Sequence, residues 1–205
     1  MKTLYRRLLD VCYKNKLHHL GSYFSCLHTL DKIYQSMNED DIFILSNGHS
    51  AVALYVILEK YYGLDAENLL EKYGEHPKRN ELDKIYCSTG SLGMGITVAV
   101  GRALANPNRN VYCMISDGEC AEGSVWEALR FAHEKNVTNL KIYVNANGWA
   151  AYDPVDLNYL ENRIKVFNPD VNFVRTSVEH FGLSGLDAHY INFTEKQYLE
   201  AIESL

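Results

Sequence analysis

The sequence lacks the features that mark several classes of protein. Its five cysteines form no C-x-x-C pair, and their odd number argues against a disulfide framework. A net charge of −6 gives no basic field for binding nucleic acid. The longest apolar stretch, 92–105, contains Arg102 and is shorter than the roughly 20 residues that span a bilayer. Residues 1–9 do not form a signal peptide, and no repeat, linker or low-complexity segment occurs. These absences predict a cytoplasmic protein that binds neither membrane nor nucleic acid.

The length and the apolar periodicity predict one α/β domain. A chain of 205 residues suits a single sizeable domain, which we expect to cover residues 1–205. Helical spacing of apolar residues alternates with short continuous apolar runs, as in proteins with a parallel sheet. Helices are expected at 2–16, 25–37, 50–62, 66–73, 92–105, 122–135 and 195–204, and strands at 42–45, 111–115, 140–145, 171–175 and 189–192.

Polar residues follow two consecutive predicted strands. Asp117 and Gly118 come directly after the strand at 111–115, and Asn147 follows the strand at 140–145. The helix between them makes the connection a right-handed parallel crossover, so both strands end at the same edge of the sheet. We therefore expect Asp117 and Asn147 on neighbouring loops at the edge where open α/β sheets bind ligands.

These residue types suit a magnesium ion bound to a diphosphate. Mg²⁺ prefers about six oxygen ligands and usually keeps water and phosphate oxygens among them. Asp117 would supply a carboxylate, Asn147 an amide oxygen, and a main-chain carbonyl, best placed at Trp149, a third ligand. Gly118 leaves space for a diphosphate to approach the backbone. Asp-Gly and Asn-Gly are also common turn dipeptides, so two ordinary turns remain an open alternative for this pattern alone.

Four further segments carry a resemblance to a known family. They are HHLGSYFSCLHTLDKIY (18–34), DIFILSNGHSAVALYVIL (41–58), GEHP (74–77) and STGSLGMGITVAVGRALA (88–105). Together with the Asp117–Asn147 stretch, they occur in this order in the amino-terminal half of transketolase. From about His18 to Asp153, the chain resembles the thiamine-diphosphate-binding domain of the transketolase family, as a separate chain of a split enzyme. The resemblance implies a three-layer fold in which helices flank a mostly parallel central sheet.

The resemblance also implies roles for individual residues. Mg²⁺, or Ca²⁺ or Mn²⁺ in its place, would be held by Asp117, Asn147 and the carbonyl of Trp149. The cofactor would be bound by His49, Gly90, Ser91, Leu92, Asp117, Gly118 and Asn147. His19 and His76 would handle substrate hydroxyls and protons. A slip of one residue would give the first role to His18, although Gly21 favours His19.

Other ionisable residues have alternative interpretations. Without the resemblance, His49 is equally well explained as a cap at the start of a helix. Glu122 and Glu127 either stabilise a helix start through its dipole or lie at a contact between subunits. Cys120 is either a small filler or a redox-sensitive thiol. The histidines without a motif are interpreted as structural: His28, His133, His180 and His189.

The activity implied by the resemblance is transfer of a two-carbon ketol unit between sugars or sugar phosphates, a transferase reaction of carbohydrate metabolism. No stretch after Asp153 resembles the pyrimidine domain, so the resemblance implies a separate partner chain in an α2β2 heterotetramer. The chain is also expected to stop before a loop that brings another histidine to the site. Ser116, Asn145 and Ala146 depart from the family pattern and leave the substrate open. An unusual or nucleotide-linked sugar is one alternative, and a non-catalytic regulatory role is another.

Overall fold

The centre of the molecule is a four-stranded, fully parallel sheet. A computed structural model describes all residues, 1–205. The strands lie in the order β1, β2, β3, β6, and all three neighbouring pairs are parallel. The strands are β1 (Ile42–Leu45), β2 (Val111–Ser116), β3 (Leu140–Ala146), β4 (Trp149–Ala150), β5 (Asp153–Pro154) and β6 (Asn172–Arg175). Strands β4 and β5 form a separate two-stranded hairpin. In the main sheet Ser116 pairs with Asn145, so the polar ends of β2 and β3 lie side by side, as predicted.

All seven predicted helices are present, with two additions. The helices are α1 (Lys2–Lys14), α2 (Leu20–Ser36), α3 (Ala51–Tyr62), α4 (Ala66–Tyr73), α5 (Met94–Ala105), α6 (Gly123–Glu134), α7 (Leu157–Phe167), α8 (Asp187–Tyr190) and α9 (Glu195–Ser204). Helix α2 begins five residues earlier than expected, directly after His19, whose left-handed backbone ends the preceding loop. Helix α7 was not predicted, although the Asp156 side chain caps it by accepting from the amides of Asn158 and Tyr159.

Two apolar cores cover the two faces of the sheet. Because the strand order runs in one direction, right-handed crossovers put α5, α6 and α7 on the same face. Their side chains pack with Ile44, Cys113 and Val144. Helices α1–α4 and α9 pack on the opposite face, against Phe43 and Met114. Consecutive strand residues thus point to opposite cores, and the predicted three-layer α/β architecture is confirmed.

The predicted strand at 189–192 is wrong. Residues 187–190 form the helical turn α8, which lies against the start of α2. A Cβ atom added to Gly21 would lie 2.8 Å from the Cβ of Ala188, so the two elements are in close contact. The amide of His19 donates to the carbonyl of His189 at 3.0 Å, which replaces the pairing that a strand would need. The apolar residues of this segment therefore bury themselves against α2 rather than against the sheet.

Two expectations about residue chemistry can be compared directly with the fold. All five cysteines are buried free thiols, including Cys26 and Cys113 in the two cores. None of the helices combines the length and the apolar character that crossing a membrane requires.

Candidate functional site

The loops at the carboxyl end of the sheet surround a cavity of about 210 Å³. Eight of the ten residues singled out in the sequence line it: His19, His49, His76, Gly90, Leu92, Gly118, Asn147 and Trp149. The other two, Ser91 and Asp117, do not line this cavity. Asp117 lies in the adjoining loop, where its carboxylate bonds to the backbone beside Asn147. The structure thus brings residues from five separated sequence segments to one place.

Asp117 is a buried carboxylate bonded only to backbone amides. Its side chain is 3% exposed, and it accepts from the amides of Gly118 at 3.0 Å and Gly148 at 2.6 Å. Burial raises the pKa of Asp117 to about 6, although these backbone bonds act in the opposite direction. A carboxylate in this setting is poorly compensated by the chain itself. It is therefore suited to receive a cation.

Asn147 lies on the next loop, held by the turn that follows β3. Its Oδ1 accepts from the amide of Trp149 at 3.0 Å, and one further lone pair of that oxygen stays available. Gly148 has a φ of +90°, a conformation that favours glycine and lets the chain turn sharply between the two residues. The side-chain amide of the neighbouring Asn145 donates to Ser25 Oγ at 2.9 Å, which ties the end of β3 to α2.

Two glycines allow the SNGH and TGSLG loops to pack backbone against backbone. A Cβ atom added to Gly48 would lie 2.6 Å from the carbonyl carbon of Thr89 and 2.7 Å from the nitrogen of Gly90. One added to Gly95 would lie 2.5 Å from the Cα of Ser46. No larger residue fits without moving the backbone. The glycines of these motifs therefore fix how closely the loops approach each other at the cavity.

Four histidines meet at the cavity, and one of them was not predicted to do so. The rings of His19 and His49 have centroids 5.8 Å apart. His189 also lines the cavity, although the sequence interpretation made it structural and expected no further histidine from the tail. That expectation is wrong because the link from His19 to α8 folds the tail back onto the site. No sequence motif marks His189, since its position depends on a contact with a residue far away in the sequence.

Burial keeps most of these histidines neutral. It lowers the pKa of His49 to about 3, with smaller effects from His19, His189 and His76. Burial also lowers the pKa of His19, an effect that the charge of Glu75 partly opposes. The pKa of His189 is lowered by burial and by His19. Neutral imidazoles can accept protons near pH 7, which suits them to proton transfer.

Two tyrosines lie at the mouth of the cavity. Tyr190 lines the cavity, and its ring stacks on that of Tyr152 with centroids 5.5 Å apart and an angle of 8°. Both side chains are exposed. Neither residue was singled out in the sequence. The residues that line the cavity include no lysine or arginine.

The donor atoms suit a hard divalent cation and an anionic ligand. Five buried side-chain polar atoms have no partner within the chain, and three belong to residues in or beside the cavity: Asn47 Oδ1, Thr89 Oγ1 and His189 Nε2. Such atoms are uncommon in folded proteins and suggest a ligand. Carboxylate, amide and carbonyl oxygens are the ligands that Mg²⁺ prefers. No group of three or more His, Cys, Asp or Glu side chains is arranged to hold a metal ion, so a zinc-type site does not fit.

The sequence matches a family and several curated proteins. Residues 23–171 match the family described as transketolase, thiamine diphosphate binding domain. One of the two chains into which an apulose-4-phosphate transketolase from Phocaeicola vulgatus is named as a subunit is 32% identical over 162 residues, which cover 69% of this chain and 57% of that protein. Human transketolase is 36% identical over 133 residues, which cover 58% of this chain and 21% of that protein.

The fold also matches solved structures. The crystal structure of transketolase from Campylobacter jejuni has a TM-score of 0.70 at 18% identity, over 98% of this chain and 42% of that one. At this identity the likeness concerns the fold alone. The chain spans little more than half of the Phocaeicola protein and about one fifth of human transketolase.

Proposed function

The chain belongs to the transketolase family through its thiamine-diphosphate-binding domain, and we propose that it is one subunit of a two-chain transketolase-like enzyme. The observation that carries this proposal is the single cavity lined by residues from all the motif segments. The proposed reaction moves a two-carbon ketol unit from a ketose to an aldehyde. When bound, thiamine diphosphate supplies the reactive carbon for that transfer.

We assign the cofactor contacts to residues of the carboxyl edge. Asp117, Asn147 and the carbonyl of Trp149 would hold Mg²⁺, and the uncompensated charge of Asp117 supports this role. Gly118 and His49 would contact the diphosphate, and Gly90, Ser91 and Leu92 would contact the aminopyrimidine. His49 is neutral at pH 7, so it would act towards the diphosphate as a hydrogen-bond donor rather than as a cation.

The remaining histidines would serve the sugar. His19, His76 and His189 face the same cavity, and the buried Nε2 of His189 has no partner within the chain. They would bind the sugar hydroxyls and move protons to and from them. The protein would also orient the sugar and exclude water, since these histidines lie inside a cavity rather than on an open surface.

A partner chain would complete the site. The cavity is smaller than the range of about 300–1,000 Å³ typical of small-molecule sites, which supports a cofactor held between two polypeptides. The relative from Phocaeicola vulgatus is itself named as a transketolase subunit. The partner would carry the pyrimidine domain in an α2β2 assembly, and the exposed Glu122 and Glu127 would lie at the contact. Because no lysine or arginine lines the cavity, any sugar phosphate would be bound by the partner.

The proposal is tested by the thermal stability of the complex with its partner. Thiamine diphosphate with Mg²⁺ should raise its melting temperature, and EDTA should remove the increase. Asp117→Ala should abolish the shift, and Asn147→Leu should remove its dependence on metal. A wild-type complex that shows no metal-dependent shift would contradict the cofactor role. Binding without any transfer of a two-carbon unit would favour a regulatory role instead.

A further inference from the structure

Glu119 is a fully buried carboxylate close to the candidate metal site, and it takes no part in the ligand contacts proposed above. It lies in the short helical turn after β2 and is 0% exposed. No lysine or arginine forms an ion pair with it, and it is not among the residues that line the cavity. A buried carboxylate is costly unless several donors satisfy it, so its partners indicate what it does.

Three donors converge on the Glu119 carboxylate. Its Oε1 accepts from Ser46 Oγ at 2.7 Å and from the amide of Gly93 at 2.8 Å. Its Oε2 accepts from the amide of Ser116 at 3.1 Å. The amide of Glu119 in turn donates to Ser116 Oγ at 3.1 Å, which holds the glutamate in this orientation.

Each of these partners belongs to a different loop of the site. Ser46 follows β1 and directly precedes Asn47, Gly48 and His49. Gly93 follows the TGSL segment and directly precedes α5, and Ser116 directly precedes Asp117. Ser46 Oγ also accepts from the amide of Ile96 at 3.2 Å, which attaches the first turn of α5 to the same group. One side chain therefore connects three loops that come from distant parts of the sequence.

The number of donors requires a carboxylate rather than a neutral side chain. Both oxygens act as acceptors, and two of the three donors are backbone amides that cannot turn away. A glutamine has one acceptor oxygen, and its NH₂ group would face the amide of Ser116. An apolar side chain would leave all three donors without a partner in the interior.

We propose that Glu119 is a positioning residue, which fixes the SNGH, TGSLG and SDG loops relative to one another so that they can bind one cofactor. This inference rests on the proposed function of the site. Glu119 acts through Ser46, Gly93 and Ser116 and does not itself touch the ligand.

The test compares Glu119→Gln with a matched variant at the other end of the sheet. Asp41 is also a buried carboxylate, and it accepts from the amides of Asn38 at 2.9 Å and Asn110 at 3.1 Å. Asp41→Asn therefore removes a similar acceptor far from the cavity. Both variants are measured in the full chain, alone and with its partner, at a temperature where each is folded.

Amide hydrogen exchange gives the readout that does not depend on the cofactor. In Glu119→Gln, peptides covering 46–50, 88–96 and 115–120 should exchange at least tenfold faster. In Asp41→Asn, the faster exchange should be confined to 38–43 and 109–112. Unchanged exchange in the three loops of a folded Glu119→Gln protein would overturn the proposal.

Isothermal titration of thiamine diphosphate with Mg²⁺ gives the second readout. The Kd should rise at least tenfold in Glu119→Gln and stay within twofold in Asp41→Asn, and equal losses in the two variants would overturn the proposal. If wild type does not bind while the loops loosen in Glu119→Gln, the proposed function fails and the loop contacts stand. If Glu119→Gln does not fold, Ser46→Ala removes one of the three donors, and an effect of Ser46→Ala on neither readout would overturn the inference.

Discussion

The two ends of the central sheet differ in how their polar residues are used. At the amino end, the Asp41 carboxylate accepts from two backbone amides. There too, Asn139 Nδ2 donates to the carbonyls of Ala103, Asn106 and Arg109. At the carboxyl end, Asn47 Oδ1 and Thr89 Oγ1 are buried without a partner. The same strands feed both ends, yet one end is internally satisfied and the other keeps unused hydrogen-bonding capacity.

This difference separates residues that serve the fold from residues that serve a ligand. A polar group that completes the chain's own hydrogen bonds lowers the free energy of the folded state. A polar group kept for a ligand costs stability until the ligand binds. Glu119 belongs to the first kind although it lies at the carboxyl end, because its donors all come from the chain. Proximity to the cavity alone therefore does not identify a ligand-binding residue.

The largest effect on stability is expected at the amino end. Asp41→Ala leaves the amides of Asn38 and Asn110 without an acceptor, which should lower the free energy of unfolding by about 3 kcal/mol. Urea unfolding measures this change. Asp40→Ala is the control, because Asp40 is the exposed neighbour of Asp41 and should change stability by less than about 0.5 kcal/mol. A loss below about 1 kcal/mol in Asp41→Ala would remove the contrast between the two ends.

A second effect appears only in acid. His49 has a folded-state pKa of about 3, below the value of 6.5 in the unfolded chain, so the unfolded state binds the proton first. The stability of the chain should therefore fall as the pH drops below 6.5, and His49 accounts for up to about 1.4 kcal/mol per pH unit. Between about pH 6.5 and pH 5, His49→Asn should lose about 2 kcal/mol less than wild type does.

Urea unfolding of the cofactor-free chain at several pH values tests this expectation. His133→Asn is the control, because His133 is exposed on α6 and does not line the cavity. Parallel pH curves for wild type and His49→Asn would show that His49 takes up its proton equally in both states. In that case the carboxyl end would not carry the cost that the comparison assigns to it.

The sequence predicts the part of this site that depends on regular structure. Asp117 and Asn147 could be expected side by side because a parallel crossover brings strand ends to one edge, and the paired strands confirm this. Gly48 and Gly95 follow from motifs whose backbones pack closely. These inferences need only the local periodicity and the handedness of the crossover.

The rest of the site depends on contacts that no local pattern records. His189 reaches the cavity because α8 docks on α2, and its segment was expected to form a strand. Glu119 follows Asp117 in the sequence, yet its role depends on Ser46, which lies 73 positions away. The departures at Ser116 and Asn145 also acquire a reason, since Ser116 holds Glu119 and Asn145 bonds to Ser25.

The smallest expected effect has the opposite sign to that at Asp41. The pKa of Asp117 rises from 3.8 to about 6 on folding, so its buried charge costs about 3 kcal/mol above pH 6. Asp117→Asn removes that charge but leaves one backbone amide without an acceptor, at a cost of about 2 kcal/mol. The cofactor-free variant should therefore be more stable than wild type by about 1 kcal/mol at about pH 7.5.

The pH dependence of this gain identifies its cause. Because the folded-state pKa of Asp117 is raised, the cost of its charge is fully present above about pH 6 and is lost as the pH falls towards 3.8. The advantage of Asp117→Asn over wild type should disappear across the same window in urea unfolding with EDTA present. With Mg²⁺ and thiamine diphosphate the order should reverse, because only wild type gains the metal. A variant that is less stable than wild type above pH 6 without ligand would mean that Asp117 serves the fold, as Asp41 does.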